Sequence, residues 1–151
     1  MVGLNQYLRS LFNQISLGLS PETRNAAYNN ALFDIVRGSG KRLKSNDTVA
    51  EDTDNNTLSG FASDGFTLGT NNGVNQSSKT YVGWAWDGGT STVTNNDGSI
   101  ASQVRASAAS GFSVVTYTVG NNTAQTIGHG LNAAPHLIIV KERNQANNWQ
   151  V

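Results

Sequence analysis

TIGHGLNAAPHLIIVKERN, Thr126 to Asn144, is the stretch on which the fold turns. It carries both histidines of the chain, His129 and His136, beside Gly128, Gly130 and Pro135, and then runs into pure hydrocarbon. Either it is a catalytic or metal-binding loop, or it is a turn that delivers a buried strand. A metal site on the two imidazoles needs one or two further ligands, here carboxylates, because the chain has no cysteine. The nearest acid, Glu142, follows His136 along a strand-like run, which puts it roughly 20 Å away at strand rise. There is no HExxH cluster and no GxSxG elbow. A turn fits better. Gly128 and Gly130 accept positive φ on either side of His129, and Pro135 keeps Ala134 out of the helical region. Leu137-Ile138-Ile139-Val140 shows no alternation, which predicts a central strand buried on both faces. Lys141-Glu142-Arg143 then marks its return to water, and His129 is expected to hydrogen-bond a neighbouring loop. No metal ligand, catalytic residue or cofactor is expected in this stretch.

The rest of the composition agrees. The 151 residues suit one domain with a short appendage. Ten basic residues balance ten acidic ones, so no general basic field exists to bind nucleic acid. Only 13% of residues are charged, against roughly 25% in an average globular protein. The polar surface must therefore come from elsewhere, and 19 asparagines and 16 glycines, with many serines and threonines, supply it. These residues disfavour helix and favour turns and extended chain. No window approaches the length of apolar sequence that spans a membrane, so no membrane insertion is expected. The N-terminus does not read as a signal peptide.

Residues 4 to 15 form the one strong helix candidate. Leu4, Leu8, Leu11 and Ile15 repeat at alternating spacings of four and three, an apolar stripe on one helical face. Gly18 stops it, and Ser20-Pro21-Glu22 starts a second short helix reaching about Asn29. The stripe either covers one side of the domain or forms a coiled-coil-like seam between subunits. Leu4, Leu8, Leu11 and Ile15 are therefore the candidate oligomer contacts, and residues 1–30 form an anchoring or oligomerising segment ahead of a β domain over 31–151.

Within that domain the candidate strands are Ala31 to Val36, Gly65 to Gly69, Thr80 to Trp86, Gly111 to Val119 and His136 to Val140. Asn-Asn-Gly, Asp-Gly-Gly, Asn-Asp-Gly and Gly-Asn-Asn turns separate them. The spacing predicts a mainly β fold, an antiparallel sandwich or jelly-roll-like domain with a short N-terminal helical segment. Arg37, Lys41, Arg42 and Lys44 precede Asp47, Glu51, Asp52 and Asp54. They read as a solvated loop whose halves neutralise each other. Ala62-Ser63-Asp64-Gly65-Phe66-Thr67 echoes Ala108-Ala109-Ser110-Gly111-Phe112-Ser113, as reused hairpin chemistry rather than a repeat.

Trp84 and Trp86 are candidates for two different jobs. Buried, each removes about 150–250 Å² from water and serves as core; exposed, the pair makes a platform for stacking a sugar ring. Asp52-Thr53-Asp54-Asn55 and Asn95-Asn96-Asp97-Gly98 offer oxygen ligands of the kind calcium takes, without the EF-hand pattern. A depolymerase would need two facing carboxylates about 5–10 Å apart, and Asp64, Asp87 and Asp97 are the acids left open for that.

Several runs resemble a domain recurring in structural proteins of marine and cyanobacterial phages. They are Leu32-Phe33-Asp34-Ile35-Val36-Arg37-Gly38 with Leu43-Lys44-Ser45-Asn46, Phe61 to Gly69, Tyr81-Val82-Gly83-Trp84-Ala85-Trp86, and Asp97-Gly98-Ser99-Ile100. Most specific are Gly111 to Thr118, Ile127 to Leu131, and Ala134 to Lys141. The resemblance covers residues 31 to 151. It implies a tail-fibre or tail-associated virion protein, generally without an assigned activity; the expectation for this chain is a non-enzymatic homo-oligomer (a trimer by preference) that contacts other virion proteins. Such domains usually have lysine where this chain has Asp87, and continue with further strands past Asn148-Trp149. A last strand at Val151 is therefore expected to be completed by another subunit or a longer fibre chain. The rival expectation is a carbohydrate-binding adhesin that recognises a host surface glycan through Trp84 and Trp86.

Overall fold

The computed structural model describes residues 28–151. The expected helix with Leu4, Leu8, Leu11 and Ile15 lies outside the described residues. The described chain is mainly β, built from eight short strands in three antiparallel sheets and one helical turn. It divides into two compact units. The first comprises residues up to Trp84 together with Ile139–Val151, and the second Ala85–Ile138.

In the first unit, β1 (Ala31–Leu32), β2 (Lys41–Lys44) and β3 (Asp52–Thr53) form one sheet, and β4 (Leu58–Phe61) and β5 (Phe66–Leu68) form a hairpin. β1 is shorter than the sequence predicts. The strand stops at Leu32 because the Asp34 carboxylate accepts the Arg37 backbone N–H and closes a turn, which leaves Ile35 exposed. β2 reads Lys-Arg-Leu-Lys: Leu43 turns inward beside Leu32, and Arg42 faces Asp52 directly across the β2–β3 ladder. The expected solvated loop is thus a pair of strands whose charges meet. α1 (Asn72–Asn75) is a single turn whose cap residue, Asn71, accepts the Gly73 N–H. Leu43, Leu58 and Val74 are the buried hydrophobics of this unit. Thr57, fully buried, spends its hydroxyl on the Asp54 carbonyl.

In the second unit, β6 (Val93–Asn95), β7 (Ser102–Ser107) and β8 (Phe112–Tyr117) form one sheet in that order. β8 lies within the predicted Gly111 to Val119, as its β-branched and aromatic residues dictate. β7 is the central strand, and Val104, 2% exposed, is its core residue. The Gly128-His129-Gly130 turn lies across the same face. Ser102 donates its hydroxyl to the Gly128 carbonyl, and Ser113 donates to the His129 carbonyl. Gly130 sits at φ +71°, where a Cβ would press on Ala106 and Val104. Gly128 needs its missing side chain for a different reason, since a Cβ there would collide with the Asn95 amide.

Two predicted strands do not form. Leu137, Ile138 and Ile139 carry no strand and are exposed; only Val140 bridges, to Gln150. The chain passes from the second unit back to the first at Ile138–Ile139, so this run is a crossing rather than a core strand. Thr80 to Trp86 carries no strand. There Tyr81 is held by its hydroxyl, which donates to the Asn72 carbonyl and accepts the Gln76 N–H, while Gly83 lies against Phe66. The sequence echo is real as hairpin geometry. Phe61 pairs with Phe66 across residues 62–65, and Ser107 pairs with Phe112 across residues 108–111.

Candidate functional site

Two constellations carry side-chain chemistry, one in each unit. In the first unit the centre is Arg37. Its side chain is 4% exposed, and every arm of the guanidinium is used. Nε contacts the Asp34 carboxylate, Nη1 donates to Glu51 at 3.1 Å and to the Lys41 carbonyl, and Nη2 donates to the Leu32 carbonyl at 3.1 Å. Glu51 also accepts a two-pronged pair from Arg143, at 2.9 and 2.8 Å. Burial pushes the Glu51 carboxyl up, but the hydrogen bonds from Arg143 and Arg37 outweigh that and hold it below its ordinary 4.5. Arg143 rises in turn, chiefly through its bond to Glu51. Nearby on β2 and β3, Arg42 grips Asp52 through two bonds and Lys44 adds a third contact at 3.1 Å. The Arg42 bond holds Asp52 below 3.8. Trp149 closes the arrangement by donating its indole N–H to the carbonyls of Lys44 and Asp47. Every strong charge here has an opposite partner within the unit, so the cluster is built to hold chain segments together.

The second constellation surrounds Trp86. Its indole stacks on Phe112, with ring centroids 6.0 Å apart and planes 21° from parallel. Trp86 is still 54% exposed. One aromatic surface is thus supported from below while the ring remains open to solvent. Gly88 packs between Phe112 and the Arg105 stem, and Arg105 donates Nε to the Gly89 carbonyl. Asp87 accepts the Gly89 N–H, and Ser110 donates to the Asp87 carbonyl. Backbone and side-chain polar groups therefore border a fixed ring. Trp84, in the first unit, is 51% exposed. The core role weighed for both tryptophans does not hold, because the segment that carries them is not a strand with a buried face.

The remaining candidates are placed as follows. His129 accepts the Leu131 N–H at Nδ1 and serves its own turn; His136 is exposed. Asp52 is engaged by Arg42 and Lys44, while Asp54 accepts from the Asn56 N–H and from Asn71. Asp64 sits in the β4–β5 turn, and Asp97 in a turn where Asn95 accepts its N–H. Among the described residues, no three acids and histidines gather as a metal cage would require. Sequence reasoning missed Phe112 as the support of Trp86, and it missed the whole Arg37–Glu51–Arg143 cluster. The second joins residues 92 positions apart, for which no local pattern exists. The first had a signal, since Phe112 opens the strand and stands where Phe66 stands in the echo.

A family model described as "Domain of unknown function (DUF7483)" matches residues 17–151. Neither the curated proteins nor the solved structures provide a match.

Proposed function

The chain belongs to the DUF7483 family, and on that premise we propose that it is a non-enzymatic structural protein of a bacteriophage virion, a tail fibre or fibre segment docking to the particle. It acts as a homo-oligomer, a trimer by preference, in contact with other virion proteins. The sandwich or jelly-roll arrangement of its sheets belongs to the same proposal. The observation that carries it is the distribution of apolar surface. Among the described residues the buried hydrophobics are Leu43, Leu58, Val74 and Val104, while Phe66, Trp84, Trp86, Val93 and Ile138 are all more than half exposed. A chain that leaves this much apolar surface open completes its burial against other chains. Its charges support the same reading, because among the described residues the buried pair Arg37 and Glu51 is neutralised internally. Immunogold labelling of particles that encode the chain is expected on the tail; purified particles that lack the chain would contradict the proposal. The Leu4, Leu8, Leu11 and Ile15 stripe is tested by Leu8→Asp with Leu11→Asp, which should lower the oligomer mass in solution.

A second reading is favoured by the Trp86–Phe112 stack. A supported, half-exposed indole bordered by Asp87 and Ser110 offers the flat apolar face and polar rim that a pyranose ring uses. In this reading the chain is an adhesin for a host surface glycan. A glycan array with the intact chain tests it. Binding that disappears in Trp86→Ala supports an adhesin, and an empty array removes it.

A further inference from the structure

β8 is the outermost strand of its sheet. All six of its residues pair with β7, from Ser107↔Phe112 to Ser102↔Tyr117. Among the described residues, no backbone group hydrogen-bonds its other side. We propose that two copies of the chain meet along this edge, β8 against β8 and antiparallel, so that two three-stranded sheets become one continuous sheet. This inference rests on the homo-oligomer proposed above, replaces its preferred trimer with an even-numbered assembly, and names the surface through which copies join.

Edge strands are normally kept from pairing by shortness, charge, proline or a bulge. The other outer strands of the described sheets use one or more of these devices. β1 is two residues long, β3 is two residues long and carries Asp52, and β6 is three residues long. The β4–β5 pair has an irregular register between Leu58 and Gly60. β8 has none of them. It is six residues, Phe-Ser-Val-Val-Thr-Tyr, in unbroken register, and it continues into Thr118 and Val119 without charge or proline. Val119 is itself more than half exposed.

The occupant follows from length and charge. No Asp, Glu, Lys or Arg occurs between Arg105 and Lys141, so β8 itself presents no like charge to the same strand of a second copy. A six-residue edge, open at the N–H and C=O of alternate residues, calls for a partner strand of matching length, and the outer edges β1, β3 and β6 do not offer one. β8 of another copy does. Antiparallel pairing of identical strands generates a two-fold axis, which consumes both β8 edges and leaves only the short β6 edges outside. The assembly therefore closes instead of growing into a fibril.

The parity of the assembly is the test. If every β8 pairs, native mass spectrometry of the full chain gives an even number of copies. Thr116→Lys with Thr118→Lys places cations on the edge and should halve that mass with an unchanged far-ultraviolet circular dichroism spectrum. Thr94→Lys, on β6, should leave the mass intact. Should the edge variant misfold, hydrogen exchange of the unaltered chain decides: dilution must speed exchange over Phe112–Tyr117 and spare Val93–Asn95. A monomer, an odd count, an unaffected mass in the folded variant, or exchange insensitive to dilution overturns the inference. An oligomer that dissociates in Leu8→Asp with Leu11→Asp but not in the edge variant preserves the homo-oligomer and removes β8 as its surface.

Discussion

The two units solve the same problem, ordering a chain poor in hydrocarbon, by opposite means. The first unit holds all five ion pairs formed among the described residues, and two arginines converge on the nearly buried Glu51. The second unit contains only Asp87, Asp97 and Arg105 as charged residues, and none of them forms an ion pair among the described residues. It relies on a longer strand ladder, on Val104, and on glycine turns laid directly against the sheet. Charge fixes which segments meet when their sequence separation is large, whereas a hairpin needs only adjacent strands and a turn. The division of labour follows from that. The first unit must gather residues 31–53 and 139–151, while the β7–β8 ladder joins neighbours.

This contrast can be broken from either side. The largest effect is expected from Arg37→Met. It strips Glu51 of one buried partner and leaves the Leu32 and Lys41 carbonyls without their donors, at a cost of about 3–5 kcal/mol. Urea denaturation should show the loss, and amide exchange should place it in the first unit while β7 and β8 stay protected. Val104→Ala is the mirror experiment. Removing two methyl groups from the most buried valine should cost about 2 kcal/mol, with exchange now rising in the second unit and β2 unchanged. Trp149→Phe should be the mildest. It keeps the apolar ring but removes the N–H shared by Lys44 and Asp47, worth about 1 kcal/mol, and a modest fall in melting temperature would register it.

The same contrast explains what the sequence disclosed. β8 was legible because β-branched and aromatic residues run through it between strong turns. The hairpin echo was legible because turn chemistry is local: a glycine and a phenylalanine occupy the same offsets in both places. Of the expected Gly128-His129-Gly130 turn, only Gly130 takes the left-handed backbone that its glycine allows. Leu137-Ile138-Ile139-Val140 was not legible, because a short apolar run without alternation has no period to say which face is covered, and here most of it is a crossing. β7 was missed although its signal was present: small and apolar Ser102, Val104 and Ala106 alternate with Gln103, Arg105 and Ser107. Its inward residues are too small to stand out by hydrophobicity. Of the site, Trp86 was named by its chemistry alone, but its support by Phe112 required the fold. Arg37, Glu51 and Arg143 looked like ordinary surface charge because their partnership spans most of the chain.

The claim that charge holds one unit and not the other is tested most directly by amide exchange on acidification. Glu51 and Asp52 have carboxyls held below their ordinary values of 4.5 and 3.8. Their contribution is thus fully present above those values and is lost as pH falls through the lower values of the folded chain. Protection, corrected for the intrinsic pH dependence of exchange, should therefore fail over Lys41–Lys44 and Asp52–Thr53 while Ser102–Ser107 and Phe112–Tyr117 remain protected. Loss of protection in both units together, or in the β7–β8 hairpin first, would contradict it.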